Sequence, residues 1–190
     1  MRDIDTHWQP LGPNRQPLRI IGCGALVLQT NYERGTKDSD ILEASDLDVI
    51  TTSHLLQLAG KDTQLHREHR IYLEMVGQGI PFLPQCPHWQ SIPALDAALR
   101  HFSVYVLDVV DVVVSKLARF HSDDRADIQG MISLGFVSHE ALLARFHAAK
   151  DMRECTAYAD DLPTYVVNLN RVERDFLGVA ESEIDLPSWV

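Results

Sequence analysis

The 190-residue chain lacks both the long apolar runs of a membrane protein and the paired cysteines of a disulfide framework. No stretch approaches the ~20 apolar residues that a membrane-spanning helix needs. The first residues contain no apolar segment of the kind that signal peptides carry. The cysteines are odd in number and widely spaced, at Cys23, Cys86 and Cys155. Together these absences predict a cytoplasmic protein with reduced thiols and no membrane partner.

Positive charge is also scarce, since 17 Lys and Arg stand against 27 Asp and Glu, for a net charge of −10. An acidic surface repels phosphate backbones, which argues against broad, nonspecific binding of nucleic acid. A small local basic site is compatible with this charge. The hydrophobic fraction of 45% and the charged fraction of 23% are typical of globular domains and exclude a disordered chain.

Several common catalytic motifs are missing. The sequence contains no GxxxxGK[ST] phosphate loop, no GxSxG nucleophile turn and no HExxH zinc motif. His66 and His69 are three residues apart, but no cysteine lies near them, so a zinc site is not expected there. Gly22 and Gly24 fit the start of a dinucleotide-binding GxGxxG pattern, whereas Val27 occupies the third glycine position and argues against it. A purely structural glycine turn stays open as an alternative.

The order of the predicted elements indicates an α/β or α+β fold with a helical C-terminal half. We predict an N-terminal leader over residues 1–17, a core over 18–134 and a helical C-terminal extension over 135–190. Alternating and apolar patterns predict strands, and 3.6-residue patterns with caps predict helices. The strands are predicted at 18–21, 38–43, 71–76 and 102–107. The helices are predicted at 25–29, 53–70 with a break at Gly60, 109–120 capped by Asp108, 123–134, 138–152 capped by Ser138, and 163–177. Residues 77–93 are predicted to be a loop.

One Asp-x-Asp pair stands in a context that suggests a metal site. Asp38 and Asp40 lie on a predicted strand, where residues two apart point to the same face. Two such carboxylates can share divalent ions and support phosphoryl transfer. Asp46 and Asp48 form a rival pair, and most acid-x-acid pairs are solvated surface. Only the first pair follows a strand, a glycine turn and a helix at a spacing of 14–16 residues.

This arrangement resembles the signature of the DNA polymerase β-like nucleotidyltransferase superfamily. It is most similar to the minimal bacterial branch, which includes uncharacterised transferases and toxins of toxin–antitoxin systems. The resemblance covers residues 18–134. It implies a short mixed sheet flanked by helices. Gly22 matches the first glycine of the pattern, and Cys23 stands where Gly or Ser is usual, unless Gly24 fills that place by a shift of one residue.

The resemblance also implies a third acid on another strand, which would be Glu74. A carboxylate among apolar neighbours is costly unless it is paired or binds metal. Asp38, Asp40 and Glu74 are therefore predicted to be catalytic and to hold Mg²⁺ or Mn²⁺, with Glu74 as base or further ligand. The alternative is that Glu74 lies on an exposed sheet face.

Cations complete the predicted site. Lys116 and Arg119 are three residues apart on a predicted helix and so share one face. The resemblance implies that Lys116 is catalytic, meeting the triphosphate as a point charge, and that Arg125 and Asp127 lie in a following Arg-x-x-Asp-like element. The alternative for Lys116 is that it extends its ammonium group into solvent from an ordinary amphipathic helix. The alternative for Arg125 and Asp127 is that they form a structural ion pair. The remaining nucleotide-binding predictions are Gly22, Cys23, Gly24, Arg34, Thr36, Lys37 and Arg119.

These features predict a metal-dependent nucleotidyltransferase that moves a nucleoside monophosphate from a nucleoside triphosphate to a hydroxyl. The acceptor is RNA, a protein or a small molecule, and the sequence neither chooses among them nor fixes an oligomeric state. The alternative is a catalytically silent module that binds a nucleotide or a partner, as an antitoxin or regulator does.

Overall fold

A computed structural model of the chain describes residues 1–10, 12–43 and 47–187. The chain divides into two compact units. The first unit comprises Met1–Ile80 and Trp89–Leu107, and the second comprises Pro81–His88 and Asp108–Val190. All strands of the described residues belong to the first unit, and the second is helical. The predicted mixed α/β fold with a helical C-terminal part is therefore confirmed.

The first unit is a five-stranded mixed sheet with helices. Its strands are β1 (Gln16–Ile20), β2 (Asp38–Leu42), β3 (Tyr72–Val76), β4 (Trp89–Ser91) and β5 (Phe102–Leu107). Its helices are α1 (Arg2–His7), α2 (Gly22–Gln29), α3 (Val49–Ala59), α4 (Gln64–His69) and α5 (Pro93–Ala98). The strand order is β3-β2-β1-β5-β4. The β1–β5 and β2–β3 pairs are parallel, whereas β1–β2 and β4–β5 are antiparallel.

The two faces of this sheet differ because apolar and polar residues alternate along its strands. Leu18, Ile20, Ile41 and Val104 point to one face and are fully or almost fully buried. Helices α1, α2 and α3 cover that face; Trp8, directly after α1, packs edge-on against Phe102 at 5.0 Å between ring centroids. The opposite face carries the charged residues of β1, β2 and β3.

Two segments of the first unit differ from the sequence-based predictions. The region predicted as a leader contains α1, whose buried Asp5 accepts hydrogen bonds from the backbone N–H groups of Arg100 and His101 at 2.8–3.1 Å. The region predicted as a loop contains β4, and α5 follows with Pro93 at its start. All three missed elements are short, and β4 is stabilised by its pairing with β5, which is distant in sequence, rather than by a local pattern.

The second unit contains α6 (Val109–Lys116), α7 (Ser122–Ser133), α8 (His139–Glu154) and α9 (Leu162–Val172), followed by a π-helical turn at Glu173–Leu177. The predicted caps are confirmed, since Asp108 accepts from the Val110 N–H and Ser138 from the Ala141 N–H. Helix α6 ends four residues before its predicted end at Phe120. Phe120 has a φ of 51°, and such left-handed backbone cannot continue a helix.

A buried ion pair joins two helices of the second unit. Arg145 on α8 binds Asp111 on α6 through two hydrogen bonds of 2.5 and 2.7 Å, and Asp111 is fully buried. The Asp111 carboxylate also accepts from the backbone N–H of His88 at 2.7 Å. These bonds satisfy a charge that would otherwise be costly to bury. None of the helices in the described part of the chain is long and apolar enough to cross a bilayer.

Candidate active site

Three carboxylates converge on the charged face of the sheet. Asp38 and Asp40 are two residues apart on β2, so their side chains point the same way. In the parallel pairing of β2 with β3, Asp40 lies directly beside Glu74, and Asp38 lies beside Tyr72. One carboxylate oxygen from each acid lies within 4.8 Å of the other two. The structure thus brings together the three acids that the sequence singled out.

The donor set fits a hard divalent cation. Carboxylate oxygens are the ligands that Mg²⁺ and Mn²⁺ prefer, and all three acids supply them from two rigid strands. Glu74 is exposed and the two aspartates are half-buried, so the expectation that Glu74 is a buried acid is wrong. Its exposure leaves one side of the cluster open to water or substrate. The Thr36 hydroxyl lies 2.8 Å from the Asp38 Oδ1 and donates to that carboxylate, which orients it.

The glycine turn presses directly against this cluster. Gly22 has a φ of 63°, in the left-handed region that favours glycine. A Cβ atom at this position would lie 2.5 Å from the Asp40 Oδ2. The Ile21 backbone N–H donates to the Asp40 carbonyl at 2.9 Å and holds the two segments together. Gly22 is therefore required twice, for its backbone conformation and for the space beside Asp40.

Helix α2 begins at this turn. Its N-cap residue, Ile21, makes no side-chain capping hydrogen bond, and its first turn contains no acidic residue. The first N–H groups of a helix lack intrahelical acceptors and carry partial positive charge, a combination that suits phosphate. Cys23 is half-buried in this first turn, and Gly24 is buried, with space for a Cβ limited by the Ser39 hydroxyl at 3.1 Å.

Tyr72 belongs to the same site and was missed in the sequence analysis. It lies two residues before Glu74 on β3, so the two side chains point to the same face. Desolvation raises the pKa of its phenol, and the negative charges of Glu74, Asp38 and Asp40 raise that pKa further. Tyr72 therefore keeps its proton and can donate to Glu74. The period of two on β3 is the signal that would have identified it.

The other predicted nucleotide-binding residues lie in two places. Arg34 and Lys37 precede β2 and are half-buried and exposed, respectively. The Lys37 carbonyl accepts from the Tyr72 N–H at 3.1 Å, which ties this segment to β3. Lys116 and Arg119 lie in the second unit, on α6 and just after it.

Lys116 is part of a buried charge cluster within the second unit. Only 5% of its surface is exposed, so the alternative that it snorkels into solvent is wrong. Its ammonium group lies 3.0 Å from the Asp124 Oδ1 and 2.9 Å from the Asp127 Oδ2 on α7. Arg119 also contacts Asp124, at 3.1 Å, but its side chain is 67% exposed. The guanidinium of Arg125 lies over the Phe120 ring, 6.0 Å from its centroid.

The charges of this cluster compensate one another. Burial by itself raises the pKa of the Asp124 carboxyl, but Lys116, Arg119 and the His121 N–H outweigh burial and lower that pKa below its ordinary value. Asp124 is therefore ionised at neutral pH. The cluster contains two acids, Asp124 and Asp127, and two cations. This balance of charge explains why Lys116 and Asp127 can be almost completely buried.

The competing motifs have structural roles where the structure describes them. Asp46 of the rival Asp-x-Asp pair lies outside the described residues. Asp48 caps α3, accepting from the Thr51 N–H at 2.8 Å and from its hydroxyl at 3.0 Å. His66 accepts from the Asp62 N–H, and His69 pairs with Asp3 at 2.8 Å. These contacts give each histidine a partner other than a metal.

Comparison with protein families identifies this arrangement. Residues 1–176 match the model of a family described as "Nucleotidyltransferase of unknown function (DUF6036)". The chain belongs to this nucleotidyltransferase family. The membership confirms the resemblance to the nucleotidyltransferase superfamily, whereas the narrower likeness to toxin–antitoxin enzymes stays a prediction. No curated protein and no solved structure matches the chain.

Gly22→Ala tests the close approach of the turn to Asp40. Alanine adds left-handed strain and a Cβ that collides with the Asp40 carboxylate, so we expect the free energy of unfolding to fall by about 1–3 kcal/mol. In an Asp40→Ala background the collision disappears, so Gly22→Ala is expected to lower the free energy of unfolding by less. Urea unfolding of the four proteins in this double-mutant cycle measures the coupling.

Gly35→Ala is the matched control, because no atom lies within 4 Å of its built Cβ. It is expected to leave stability within about 0.5 kcal/mol of wild type. Equal costs of Gly22→Ala in both backgrounds would show that the turn does not press on Asp40.

Lys116→Ala tests the buried charge cluster. It leaves Asp124 and Asp127 without their shared cation, so we expect the free energy of unfolding at pH 7 to fall by about 3–5 kcal/mol. Because the Asp124 pKa is lowered in the wild type, the ion pair stabilises the protein above the ordinary carboxyl pKa and is lost as the pH falls through the lowered one. The deficit of the variant is therefore expected to persist down to pH 3.8 and to shrink only below that value, as measured by urea unfolding at neutral pH and at about pH 3.

Arg119→Ala serves as the comparison, since it removes the exposed partner of the same aspartate. It is expected to cost under about 1 kcal/mol. A pH-independent deficit in Lys116→Ala would mean that lost packing, rather than unpaired charge, explains its instability.

Proposed function

We propose that the protein is a metal-dependent nucleotidyltransferase that moves a nucleoside monophosphate from a nucleoside triphosphate to a hydroxyl. The observation that carries the proposal is the meeting of Asp38, Asp40 and Glu74 within 4.8 Å, directly beside the Gly22 turn. Family membership supports the reaction class. Metal dependence, the nucleotide and the hydroxyl acceptor are our inference from the site.

Asp38, Asp40 and Glu74 would hold the Mg²⁺ or Mn²⁺. When bound, such a cation screens the charge of the triphosphate and of the leaving pyrophosphate and favours ionisation of the attacking hydroxyl. Three acids on one small surface repel each other, and a divalent cation between them reverses the sign of that interaction. The donor chemistry of this cluster, with oxygen ligands alone, suits these two ions better than it suits zinc or copper.

The residues around the acids bind the phosphates and orient the Asp38 carboxylate. The first N–H groups of α2 bind phosphate oxygens, and Arg34 and Lys37 add positive charge at the start of β2. Thr36 keeps the Asp38 carboxylate in place through its hydroxyl. These contacts hold the triphosphate so that its α-phosphorus faces the open side of the cluster, which lowers the entropic part of the barrier.

Glu74 is placed to receive the proton of the acceptor. The acceptor oxygen forms a bond to the α-phosphorus while the bond to the bridging oxygen of the β-phosphate breaks, and pyrophosphate leaves with that oxygen. The hydroxyl proton passes to the Glu74 carboxylate, which is the exposed member of the three acids. Tyr72 keeps its proton on the same sheet face and can donate a hydrogen bond that orients the Glu74 carboxylate.

Lys116 has a less direct part in this proposal. Its contacts with Asp124 and Asp127 give it a positioning role in the second unit, where it keeps α6 and α7 together. Arg119 shares Asp124 with Lys116 and is 67% exposed, and its predicted contact with the nucleotide stays a prediction. The acceptor hydroxyl belongs to an RNA, a protein or a small molecule.

Asp40→Asn tests the proposal most simply. The amide removes a metal ligand, so we expect the heat of Mn²⁺ binding in the presence of a nucleoside triphosphate to disappear, together with pyrophosphate release. Thermal stability is expected to be unchanged or slightly raised, because one of three repelling charges is gone. Isothermal titration calorimetry and thermal unfolding of the same samples provide both measurements.

Asp48→Asn is the matched control, because Asp48 caps α3 and asparagine caps a helix equally well. It is expected to behave as the wild type in both assays. Equal loss of binding in both variants would place the site elsewhere. Binding by the wild type without pyrophosphate release, tested over RNA, protein and small-molecule hydroxyls, would favour the silent module.

A further inference from the structure

A second cluster on the charged face of the sheet combines an arginine with two aromatic rings. Arg19 on β1 lies over the ring of Trp89 on β4, with its guanidinium carbon 6.0 Å from the ring centroid. Tyr105 on β5 lies directly beside Arg19 in the parallel pairing of β1 with β5. We define these three residues as the aromatic platform. All of them belong to the first unit.

The register of the strands places the platform on the same face as the acids. Ile20 pairs with Ile41, and both point to the apolar face. Their neighbours Arg19 and Asp40 therefore point to the opposite face. The same register sets Arg19 level with Leu42, two residues beyond Asp40, so Tyr105 on β5 lies about 10 Å across the strands and about 7 Å along them from Asp40.

The platform remains accessible in the folded chain. Tyr105 is 36% exposed, which is unusual for an aromatic residue on the second strand of a five-stranded sheet. Arg19 and Trp89 are half-buried. The Arg19 guanidinium is already held over the Trp89 ring, so it loses little conformational freedom when a ligand binds. Positive charges are also the minority on this protein, whose net charge is −10. These features suit a flat, polar ring better than an aliphatic group.

We propose that the platform binds the base of the donor nucleoside triphosphate, against the Tyr105 ring and the Arg19 guanidinium. This inference rests on the proposed function, which places the phosphates of the same molecule at the acids and the Gly22 turn. The base and sugar of one nucleotide span the one to two strands that separate the two clusters. Aromatic rings and arginine planes are common partners of nucleobases on sheet surfaces.

Tyr105→Leu removes the ring and keeps an apolar side chain. We expect it to weaken the binding of ATP, GTP, CTP and UTP roughly 5- to 100-fold in the presence of Mn²⁺, in line with the typical contribution of one base–aromatic stack. Inorganic tripolyphosphate has no base, so its binding is expected to be unchanged. Tyr105→Phe keeps the ring and is expected to recover most of the nucleotide affinity. Isothermal titration calorimetry measures the affinity of each protein for each nucleotide and for tripolyphosphate.

Tyr158→Leu is the matched control, because Tyr158 is also an exposed tyrosine, 5.3 Å from an arginine carbon, but lies in the second unit. It is expected to bind all probes as the wild type does. Wild-type nucleotide affinity in Tyr105→Leu would overturn the inference, as would equal losses for nucleotides and tripolyphosphate. Weaker binding of a single-stranded oligonucleotide alone would also overturn it, because the platform would then bind an acceptor.

The two proposals fail in different ways. If the wild type binds neither tripolyphosphate nor any nucleotide with Mn²⁺, the proposed function falls and this inference falls with it. If the wild type binds tripolyphosphate and nucleotides with equal affinity, the metal and phosphate site stands and only the platform is refuted.

Discussion

Mutual repulsion of three carboxylates is the constraint on which the rest of the site depends. At the separation of Asp38, Asp40 and Glu74, each pair of full charges repels by about 1 kcal/mol even in bulk water, and by more at a half-buried surface. The fold accepts this cost because two parallel strands fix the acids side by side. The neighbouring groups are donors: the Thr36 hydroxyl, the Tyr72 phenol and the first turn of α2. Such a surface favours a divalent cation and a polyanion together.

The two units handle buried charge in contrasting ways. In the second unit, Lys116 pairs with Asp124 and Asp127, Arg119 also pairs with Asp124, and Arg145 pairs with Asp111. The three acids on the sheet lie instead where solvent reaches them, with one carboxylate oxygen of each within 4.8 Å of the other two. Internal cations thus stabilise the helical unit, whereas the three acids of the sheet lie close together at a solvent-accessible surface.

Local patterns were enough to predict much of this arrangement. The period of two placed Asp38 and Asp40 on one face, and side-chain chemistry identified the caps Asp108 and Ser138. Local patterns do not predict which strands and charged residues that are distant in sequence come into contact. The pairing of Asp40 with Glu74, the short strand β4 and the partners of Lys116 all depend on which distant segments meet. The platform was missed for the same reason, since its members come from three strands that are far apart in sequence.

The most direct test of the account is to locate the metal. Crystals grown with Mn²⁺ and a non-hydrolysable nucleoside triphosphate would show the ion by its anomalous scattering. The account predicts a peak on the sheet face, coordinated by Asp38, Asp40 and Glu74 at about 2.0–2.2 Å, with phosphate oxygens completing its shell. A nucleotide bound without an ion at these carboxylates, or an ion held by other residues, would contradict it.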